Sequence, residues 1–376
     1  MKEKITGFFA SRWGIILTGG LIGFLGAYLQ KNGNPKNMGI CVACFERDIA
    51  GALGLHRANV VQYIRPEIIG FVLGSLAAAL IFREFKARDG SAPLVRFILG
   101  VFAMIGALAF LGCPWRASFR LAGGDFTAIP GLLGLAGGIA IGVAFLKSGY
   151  NLGRSSRTYP VVGAILPALM VGLLLLLVVK PVFSEGGPIF FSESGPGSMH
   201  APLLISLGAG LLIGFLAQRT RFCTMGAVRD VILMKDFHLL SGLGALIIGA
   251  FLTNLAFGQF NPGYTGQPVA HSNLLWNILG MLLAGLAYAL AGGCPGRQLF
   301  LSGEGDADSA IFVLGMISGA AFSHNFGLAG KPDSVVDGVL QVGGISQNGM
   351  IAVLLGIAVC LVIGFSMREK DEKGAE

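Results

Sequence analysis

Two cysteine motifs in the first half of the chain have counterparts in the second half, and thiols can contact soft anions, ligate metals or undergo redox chemistry. The first motif has a cysteine followed six and seven residues later by Arg-Asp. Its two copies read Gly39-Ile-Cys41-Val-Ala-Cys44-Phe-Glu-Arg47-Asp48 and Arg221-Phe-Cys223-Thr-Met-Gly226-Ala-Val-Arg229-Asp230. Both copies are short and only moderately apolar, which predicts re-entrant segments over residues 41–54 and 223–235.

The second motif places glycine and proline on either side of a cysteine. Its copies read Gly112-Cys113-Pro114-Trp115-Arg116 and Gly293-Cys294-Pro295-Gly296-Arg297, and an aspartate, Asp125 or Asp306, follows each cysteine after 12 residues. The separation between the motifs is 72 residues from Cys41 to Cys113 and 71 residues from Cys223 to Cys294. Two independent motifs at a common spacing predict an internal repeat.

Gly-Cys-Pro is typical of a helix break, because proline favours a first helical turn and glycine permits unusual backbone angles. A helix beginning directly after Cys113 or Cys294 would direct its free amides and the positive end of its dipole at the thiol. Arg116 and Arg297 follow within one turn. We therefore predict a binding site for a small soft anion, contacted by thiol or thiolate sulfur. The candidate substrate-binding residues are Cys41, Cys44, Cys113, Cys223, Cys294, Arg116 and Arg297.

Other readings of these residues stay open. Cys41 and Cys44 form a Cys-x-x-Cys pair, which is typical of a redox centre or of half a metal site. Cys44 has no counterpart in the second half, where Gly226 stands. Cys360 lies inside an apolar run and is predicted to be a core residue. We expect no metal and no cofactor, because no second ligand pair occurs at metal spacing near the cysteines or the histidines, which are His56, His200, His238, His271 and His324.

Several polar residues have two interpretations each. Asp125 and Asp306 are either coupling-proton sites or helix caps near the membrane interface. Asn254, Asn261 and Gln267 either line a path for the anion or are ordinary loop residues.

The composition predicts an all-α integral membrane protein. Of the 376 residues, 54% are hydrophobic and only 12% are charged, and the mean hydropathy is +0.73. A soluble protein carries about 25% charged residues. The formal charge of +7 is scattered over short loops, which favours membrane orientation over nucleic-acid binding. The many glycines are typical of closely packed transmembrane helices.

Ten segments are apolar over roughly the 20 residues that a spanning helix needs. They lie near residues 12–30, 64–83, 95–112, 130–147, 158–180, 201–218, 238–257, 273–293, 309–325 and 347–367. Each repeat then holds five spans, and an odd number inverts the second copy relative to the first. We assign residues 1–157 to the first four spans of the first repeat, 158–200 to span five and an outer linker, and 201–376 to the second repeat and a cytoplasmic tail.

The distribution of lysine and arginine predicts that both termini are cytoplasmic. The inside residues include Lys2, Lys4, Arg12, Arg83, Lys86, Arg88, Arg96, Lys147, Arg154, Arg157, Arg219, Arg221, Arg229, Lys235, Arg368, Lys370 and Lys373. The outer loop 258–272 has neither lysine nor arginine. The outer loop 31–63 breaks the rule with Lys31, Lys36, Arg47 and Arg57, and we expect its Arg47-Asp48 pair to belong to a polar vestibule.

With these motifs in view, the chain resembles the YeeE/YedE family of membrane proteins, and is most similar to its selenium-metabolism branch. The resemblance rests on Gly112-Cys113-Pro114, on residues 221–230 and on Gly293-Cys294-Pro295-Gly296-Arg297, so it covers both halves. It implies an hourglass-shaped permease of the bacterial inner membrane, in which thiosulfate or a related anion passes along cysteines. By that resemblance Cys113, Cys223 and Cys294 contact substrate, with Cys41 a further candidate, and a small TusA-like sulfur-carrier protein is the expected cytosolic partner.

We therefore expect a non-enzymatic permease that imports a small sulfur- or selenium-containing anion. The sequence contains no P-loop, so we expect no ATPase activity. The first alternative is a membrane thiol-disulfide oxidoreductase that uses Cys41 and Cys44. The second is a scaffold that holds the carrier protein.

Overall fold

The computed structural model describes residues 2–184 and 187–369. Lys370 and Lys373, which contributed to the predicted orientation, lie outside the described residues. The helices are α1 (Lys2–Ala10), α2 (Arg12–Lys31), α3 (Val42–Ala52), α4 (Pro66–Ile81), α5 (Pro93–Phe110), α6 (Pro114–Ala122), α7 (Ala128–Lys147), α8 (Pro160–Val179), α9 (Leu203–Thr220), α10 (Thr224–Met234), α11 (His238–Ala256), α12 (Leu274–Ala291), α13 (Pro295–Gly303), α14 (Ala307–Asn325) and α15 (Gln347–Ser366).

The sheet content is small. Within the described residues, three antiparallel pairs of short strands join loops: β1 (Arg88–Asp89) with β2 (Ser156–Arg157), β3 (Val182–Ser184) with β4 (Gly187–Pro188), and β5 (Ser334–Val336) with β6 (Val339–Gln341). The all-α fold class is confirmed.

Each of the ten predicted spans corresponds to a helix. Among the described residues, nine helical stretches are long and apolar enough to cross a membrane, and Pro66–Ile81 is a shorter apolar helix. Large apolar side chains stay exposed along the outer helices, including Leu175 on α8 and Ile351 on α15. Such surface is compatible with lipid rather than water. The chain is therefore a multi-pass membrane protein.

Four short helices, α3, α6, α10 and α13, have only 9 to 11 residues and cannot span a bilayer by themselves. Each begins directly after a cysteine, which serves as its N-cap residue. The short helices predicted over residues 41–54 and 223–235 are present as α3 and α10. The two proline-marked breaks start α6 and α13, where proline occupies the first helical turn.

Long helices of one sequence half pack along long helices of the other. The principal pairs are α2 with α11, α4 with α9, α5 with α14 and α7 with α12. Residue numbers rise together along both members of a pair, as with Gly134 beside Ile278 and Gly138 beside Leu282, so the partners run parallel. The two halves therefore share one helical core. The boundaries assigned at residues 157 and 200 stay predictions.

Glycine makes these helix contacts close. A Cβ atom at Gly138 would lie 2.1 Å from the carbonyl oxygen of Leu282. In the same way, a Cβ atom at Gly23 would lie 2.2 Å from the carbonyl oxygen of Leu246. Without a hydrophobic driving force between helices in lipid, close van der Waals packing through small residues supplies much of the association. The abundance of glycine follows from this need.

The segment after each proline-marked short helix crosses to a loop of the other half. Residue Asp125, after α6, forms a parallel bridge with Gly263, and Asp306, after α13, forms one with Arg88. The two aspartates hold equivalent positions in the sequence motifs. These backbone bridges fix the positions of the carboxyl-terminal ends of α6 and α13 relative to the opposite half.

The charges of loop 31–63 are partly explained by buried pairing. Arg47 and Arg65 both bind Asp48, at 2.6 and 2.7 Å, and all three side chains are almost fully buried. Arg65 also donates to the carbonyl oxygens of Pro196 and Met199. The Arg47–Asp48–Arg65 cluster therefore connects α3 to the loop that contains Pro196 and Met199. This structural role explains why loop 31–63 contains charged residues that the positive-inside rule does not predict.

Candidate functional site

The first half brings two thiols together. Cys41 Sγ lies 3.9 Å from Cys113 Sγ, and both residues are fully buried. The Cys41 sulfur also accepts the backbone N–H of Cys44 at 3.3 Å, as an N-cap side chain does. Cys113 is the N-cap of α6, so the amino-terminal ends of α3 and α6 converge on one pair of sulfur atoms.

The second half repeats this geometry. Cys223 Sγ lies 3.8 Å from Cys294 Sγ, and the Cys223 sulfur accepts the backbone N–H of Gly226 at 3.2 Å. These cysteines are the N-caps of α10 and α13. All six cysteines belong to the described residues and all are free thiols. The protein therefore carries two thiol pairs, each at two converging helix N-termini whose partial positive charge favours an anion.

The backbone turns sharply before each cysteine. The residue two positions earlier has a left-handed conformation in all four cases, with φ of +55° at Gly39, +63° at Leu111, +58° at Arg221 and +84° at Gly292. At Gly39 close packing adds a second constraint, because a Cβ atom would lie 2.5 Å from the ring of Phe119. These turns end the preceding segment and aim the next helix N-terminus at the thiol pair.

An aromatic cluster centred on Trp115 lies between elements of the two cysteine pairs. Trp115 follows Cys113-Pro114 and packs against Phe222, which immediately precedes Cys223, with ring centroids 5.7 Å apart. Its indole also lies over Gly296, where a Cβ atom would be only 3.3 Å away. A second bulky residue at position 296 would clash with this ring, which explains why the two motifs differ at this position.

Arg116 contacts Cys44, the third cysteine near the first thiol pair. Arg116 Nη1 lies 3.4 Å from Cys44 Sγ and also donates to the carbonyl oxygen of Leu111. Its other nitrogens donate to the carbonyl oxygens of Asn37 and Val269. The guanidinium therefore braces the turn before Cys113 while it places positive charge beside the Cys44 sulfur.

Arg297 has a different setting from Arg116. Its Nη1 lies 3.6 Å from Glu304 Oε1, which is beyond hydrogen-bond distance, and its side chain lines a cavity. Glu304 is instead held by Arg221 Nη1 at 2.8 Å. Arg297 Nη1 is thus a buried donor without a hydrogen-bond partner, on a side chain that borders the cavity.

This Arg-rich cavity has a volume of about 630 Å³. Its lining includes Cys223, Glu84, Arg219, Arg221, Arg229 and Arg297. Cys223 is 7% exposed, whereas Cys41, Cys113 and Cys294 are completely buried. The second thiol pair is therefore accessible through Cys223.

A second cavity of about 590 Å³, which we term the amide-lined cavity, lies at the opposite end of α2. The Arg-rich cavity contacts Ala10, before the start of α2, and the amide-lined cavity contacts Lys31 at its end. The amide-lined cavity includes Asn261 and Gln267 of the predicted path but not Asn254, which is buried. The ring of Phe119 lines this cavity and packs on Gly39, so it separates the cavity from the first thiol pair.

The two motif aspartates are ion-paired. Arg120 Nε binds Asp125 Oδ2 at 2.7 Å, and Arg88 binds Asp306 at 2.8 Å. Burial raises the pKa of Asp125, but Arg120 and the hydroxyl of Thr127 outweigh this and hold that pKa below its usual value. Asp306 also caps α14 by accepting the N–H of Ser309. Both aspartates have structural partners, and Asp306 is the helix cap that one interpretation predicted.

The family model described as Sulphur transport matches residues 219–375, a stretch that contains Cys223, Cys294 and Arg297. The chain is 27% identical over 323 residues to the probable transporter YedE of Escherichia coli. This match covers 80% of this chain and 76% of that protein. The resemblance to the YeeE/YedE family is confirmed.

Two other relatives within the same comparison are named thiosulfate transporter TsuA. The protein of Spirochaeta thermophila is 38% identical over 106 residues, covering 26% of this chain and 30% of the relative. The protein of Escherichia coli is 26% identical over 176 residues, covering 46% of this chain and 49% of the relative. The matches thus span less than half the length of either thiosulfate transporter, whereas the match to YedE is long enough to include both halves of this chain.

Two buried polar residues, one on α3 and one on α12, were not among the predicted site residues. Glu46 on α3 is fully buried, and neither carboxyl oxygen has a hydrogen-bond partner. The hydroxyl of Tyr288 on α12 is also buried and without a partner. An acidic residue inside a re-entrant segment was a usable signal for Glu46. Nothing local in the sequence distinguishes Tyr288 from an interfacial tyrosine.

Metal binding has no geometric support in the part of the chain that the structure describes. No group of three or more His, Cys, Asp and Glu side chains there is arranged to hold a metal ion.

Proposed function

We propose that this protein is a membrane permease that imports a small sulfur-containing anion, thiosulfate or a selenium analogue, by passing it between two thiol pairs. One observation carries the proposal: Cys41–Cys113 and Cys223–Cys294 are two sets of close, free thiols, each at converging helix N-termini. A soft anion is held there by S–H donors and helix amides. Such contacts are individually weak, so the anion binds and also leaves.

The two cavities support an hourglass-shaped path. They lie at opposite ends of α2; Cys223 of the second thiol pair lines one of them, and Phe119 of α6 lines the other. Access is unequal, because Cys223 borders the Arg-rich cavity while Phe119 covers the first pair. In this proposal the structure corresponds to a state open towards the Arg-rich cavity and closed on the other side.

We further propose that the halves are inverted repeats and that the Arg-rich cavity faces the cytoplasm. The parallel pairs α2–α11 and α4–α9 support inversion, since the first span of one half runs beside the second span of the other. The arginines around this cavity support the orientation under the positive-inside rule. The location is then the bacterial inner membrane with both termini cytoplasmic, and a TusA-like carrier protein is the proposed acceptor of the cargo.

The test is uptake of radiolabelled thiosulfate by cells that lack other thiosulfate importers. Removing an S–H donor to a charged ligand costs about 1.5–3 kcal/mol, so Cys113→Ala and Cys294→Ala are expected to reduce uptake about 10- to 100-fold. Cys360→Ala is the matched control, because Cys360 is a buried cysteine on α15 outside both pairs. Competition by unlabelled selenite, sulfite and sulfate defines the cargo.

The outcomes separate the three function classes. Normal uptake by membrane-inserted Cys113→Ala and Cys294→Ala proteins contradicts the relay and favours a scaffold. A Cys41–Cys44 disulfide that forms and breaks with redox poise, detected by thiol labelling and mass spectrometry, favours the oxidoreductase. Thiols that stay free throughout transport support the permease, with no catalysed reaction.

A further inference from the structure

Glu46 differs from every other buried carboxylate among the described residues. It lies on α3, two residues after Cys44, and neither of its oxygens has a hydrogen-bond partner. The other buried carboxylates each accept a hydrogen bond or an ion pair; these are Asp48, Glu67, Asp125, Asp230, Glu304 and Asp308. An ionised carboxyl without a partner is strongly disfavoured at such a place, so this position favours the neutral acid.

The surroundings of Glu46 belong to the proposed anion path. Glu46 lies on α3, and the N-cap residue of this helix is Cys41 of the first thiol pair. Glu46 is the fifth residue after Cys41 along this helix. An anion held at the Cys41–Cys113 pair is therefore about 8 Å from Glu46 along the axis of α3.

The neighbouring titratable groups do not neutralise Glu46. On α3 itself, Arg47 and Asp48 pair with each other and with Arg65. The helices α4, α5, α13 and α14 pack against α3, and their titratable side chains are Glu67, Arg96, Arg297, Asp308 and His324. Arg116 of α6 reaches Cys44, and His56 in the loop after α3 contacts the carbonyl oxygen of Arg47. None of these donates a hydrogen bond to Glu46. The charge of Glu46 therefore depends on its own proton.

We propose that Glu46 is a proton-binding site and that its proton travels with the imported anion; this inference rests on the proposed transport function. When Glu46 is deprotonated, its negative charge repels an anion bound nearby, and little water is present to screen the repulsion. When Glu46 is protonated, this repulsion is absent. Proton and anion therefore strengthen each other's binding, and the linkage is reciprocal. The carboxylate of Glu46 takes up one proton on one side of the membrane and releases it on the other. A divalent anion that crosses with this proton carries a net charge of about −1 instead of −2.

The experiment uses the full-length protein in proteoliposomes, with radiolabelled thiosulfate as the probe. For the wild-type protein, an inward proton gradient is expected to raise uptake severalfold, and thiosulfate entry is expected to acidify the lumen, read by a trapped pH dye. Glu46→Gln keeps the shape and remains neutral. It is expected to retain thiosulfate counterflow at equal pH within about twofold but to lose gradient stimulation and acidification. Glu67→Gln is the matched control, because Glu67 is a buried glutamate with an asparagine partner and is expected to remain stimulated.

The possible results have separate meanings. If the wild-type protein moves no thiosulfate, the proposed function fails. If it moves thiosulfate without protons, or if Glu46→Gln still moves protons, only the inference about Glu46 is overturned. If Glu46→Gln is not recovered in the membrane, infrared spectroscopy of the wild-type protein decides. A protonated-carboxyl band that persists at neutral pH supports the proposal, and its absence overturns it.

Discussion

A buried ion pair next to the first thiol pair gives the sharpest structural prediction. Arg120 and Asp125 are both fully buried, 2.7 Å apart, at the end of the short helix that begins after Cys113. Asp125 also accepts hydrogen bonds from Asn37 and Thr127. Removing one partner of a buried pair leaves an uncompensated charge, which costs far more than the intact pair contributes.

Arg120→Met preserves much of the side-chain volume but leaves Asp125 without a counter-charge. We expect it to lower the free energy of unfolding by about 3–5 kcal/mol. At roughly 2 °C per kcal/mol for a large chain, the melting temperature falls by about 6–10 °C. The double variant Arg120→Met/Asp125→Asn removes the orphaned charge as well, and is expected to recover at least about half of that loss.

Thermal melting of detergent-solubilised protein, followed by size-exclusion fluorescence, measures these effects. The ion pair of the other motif aspartate, Arg88–Asp306, joins the two halves and is the control, because its side chains are 26% and 13% exposed. Water screens this pair, so Arg88→Met is expected to cost about 1 kcal/mol or less. Equal falls for Arg88→Met and Arg120→Met would refute the reasoning, as would a double variant no more stable than Arg120→Met.

Two further predictions concern helix packing and access to the thiols. Gly23→Ala is expected to destabilise the protein by about 1–3 kcal/mol, because its Cβ would lie 2.2 Å from a carbonyl oxygen of α11. Gly20→Ala, on the same helix with open space around it, is expected to be neutral or to stabilise by up to about 1 kcal/mol, and both are read by thermal melting. Phe119→Ala removes the ring that covers the first thiol pair, so a membrane-impermeant maleimide applied from the amide-lined side is expected to modify Cys113, as mass spectrometry detects. Phe126→Ala is the control, and an unmodified Cys113 in Phe119→Ala contradicts the covering role.

The position of every helix that carries a motif cysteine was predictable from local sequence. Apolar length marks the spans, and Gly-Cys-Pro marks the starts of α6 and α13, because both signals act within one helical turn or one membrane thickness. The common spacing of 72 and 71 residues also placed equivalent cysteines in the two halves. The roles of Arg116 and Arg297 were less predictable, because these equivalent motif positions have different neighbours. Arg116 donates to three backbone carbonyl oxygens, whereas Arg297 lines a cavity.

The sequence alone determined a membrane protein with ten apolar segments and four cysteines that each start a short helix, because composition and helix-break chemistry are local properties. The tertiary structure decided that Cys41 lies beside Cys113 and Cys223 beside Cys294. It also decided which pair a cavity reaches and which carboxyl, that of Glu46, is left without a partner. These features depend on contacts between segments far apart in the chain, and those contacts are set by how the glycine-lined helices of the two halves pack together.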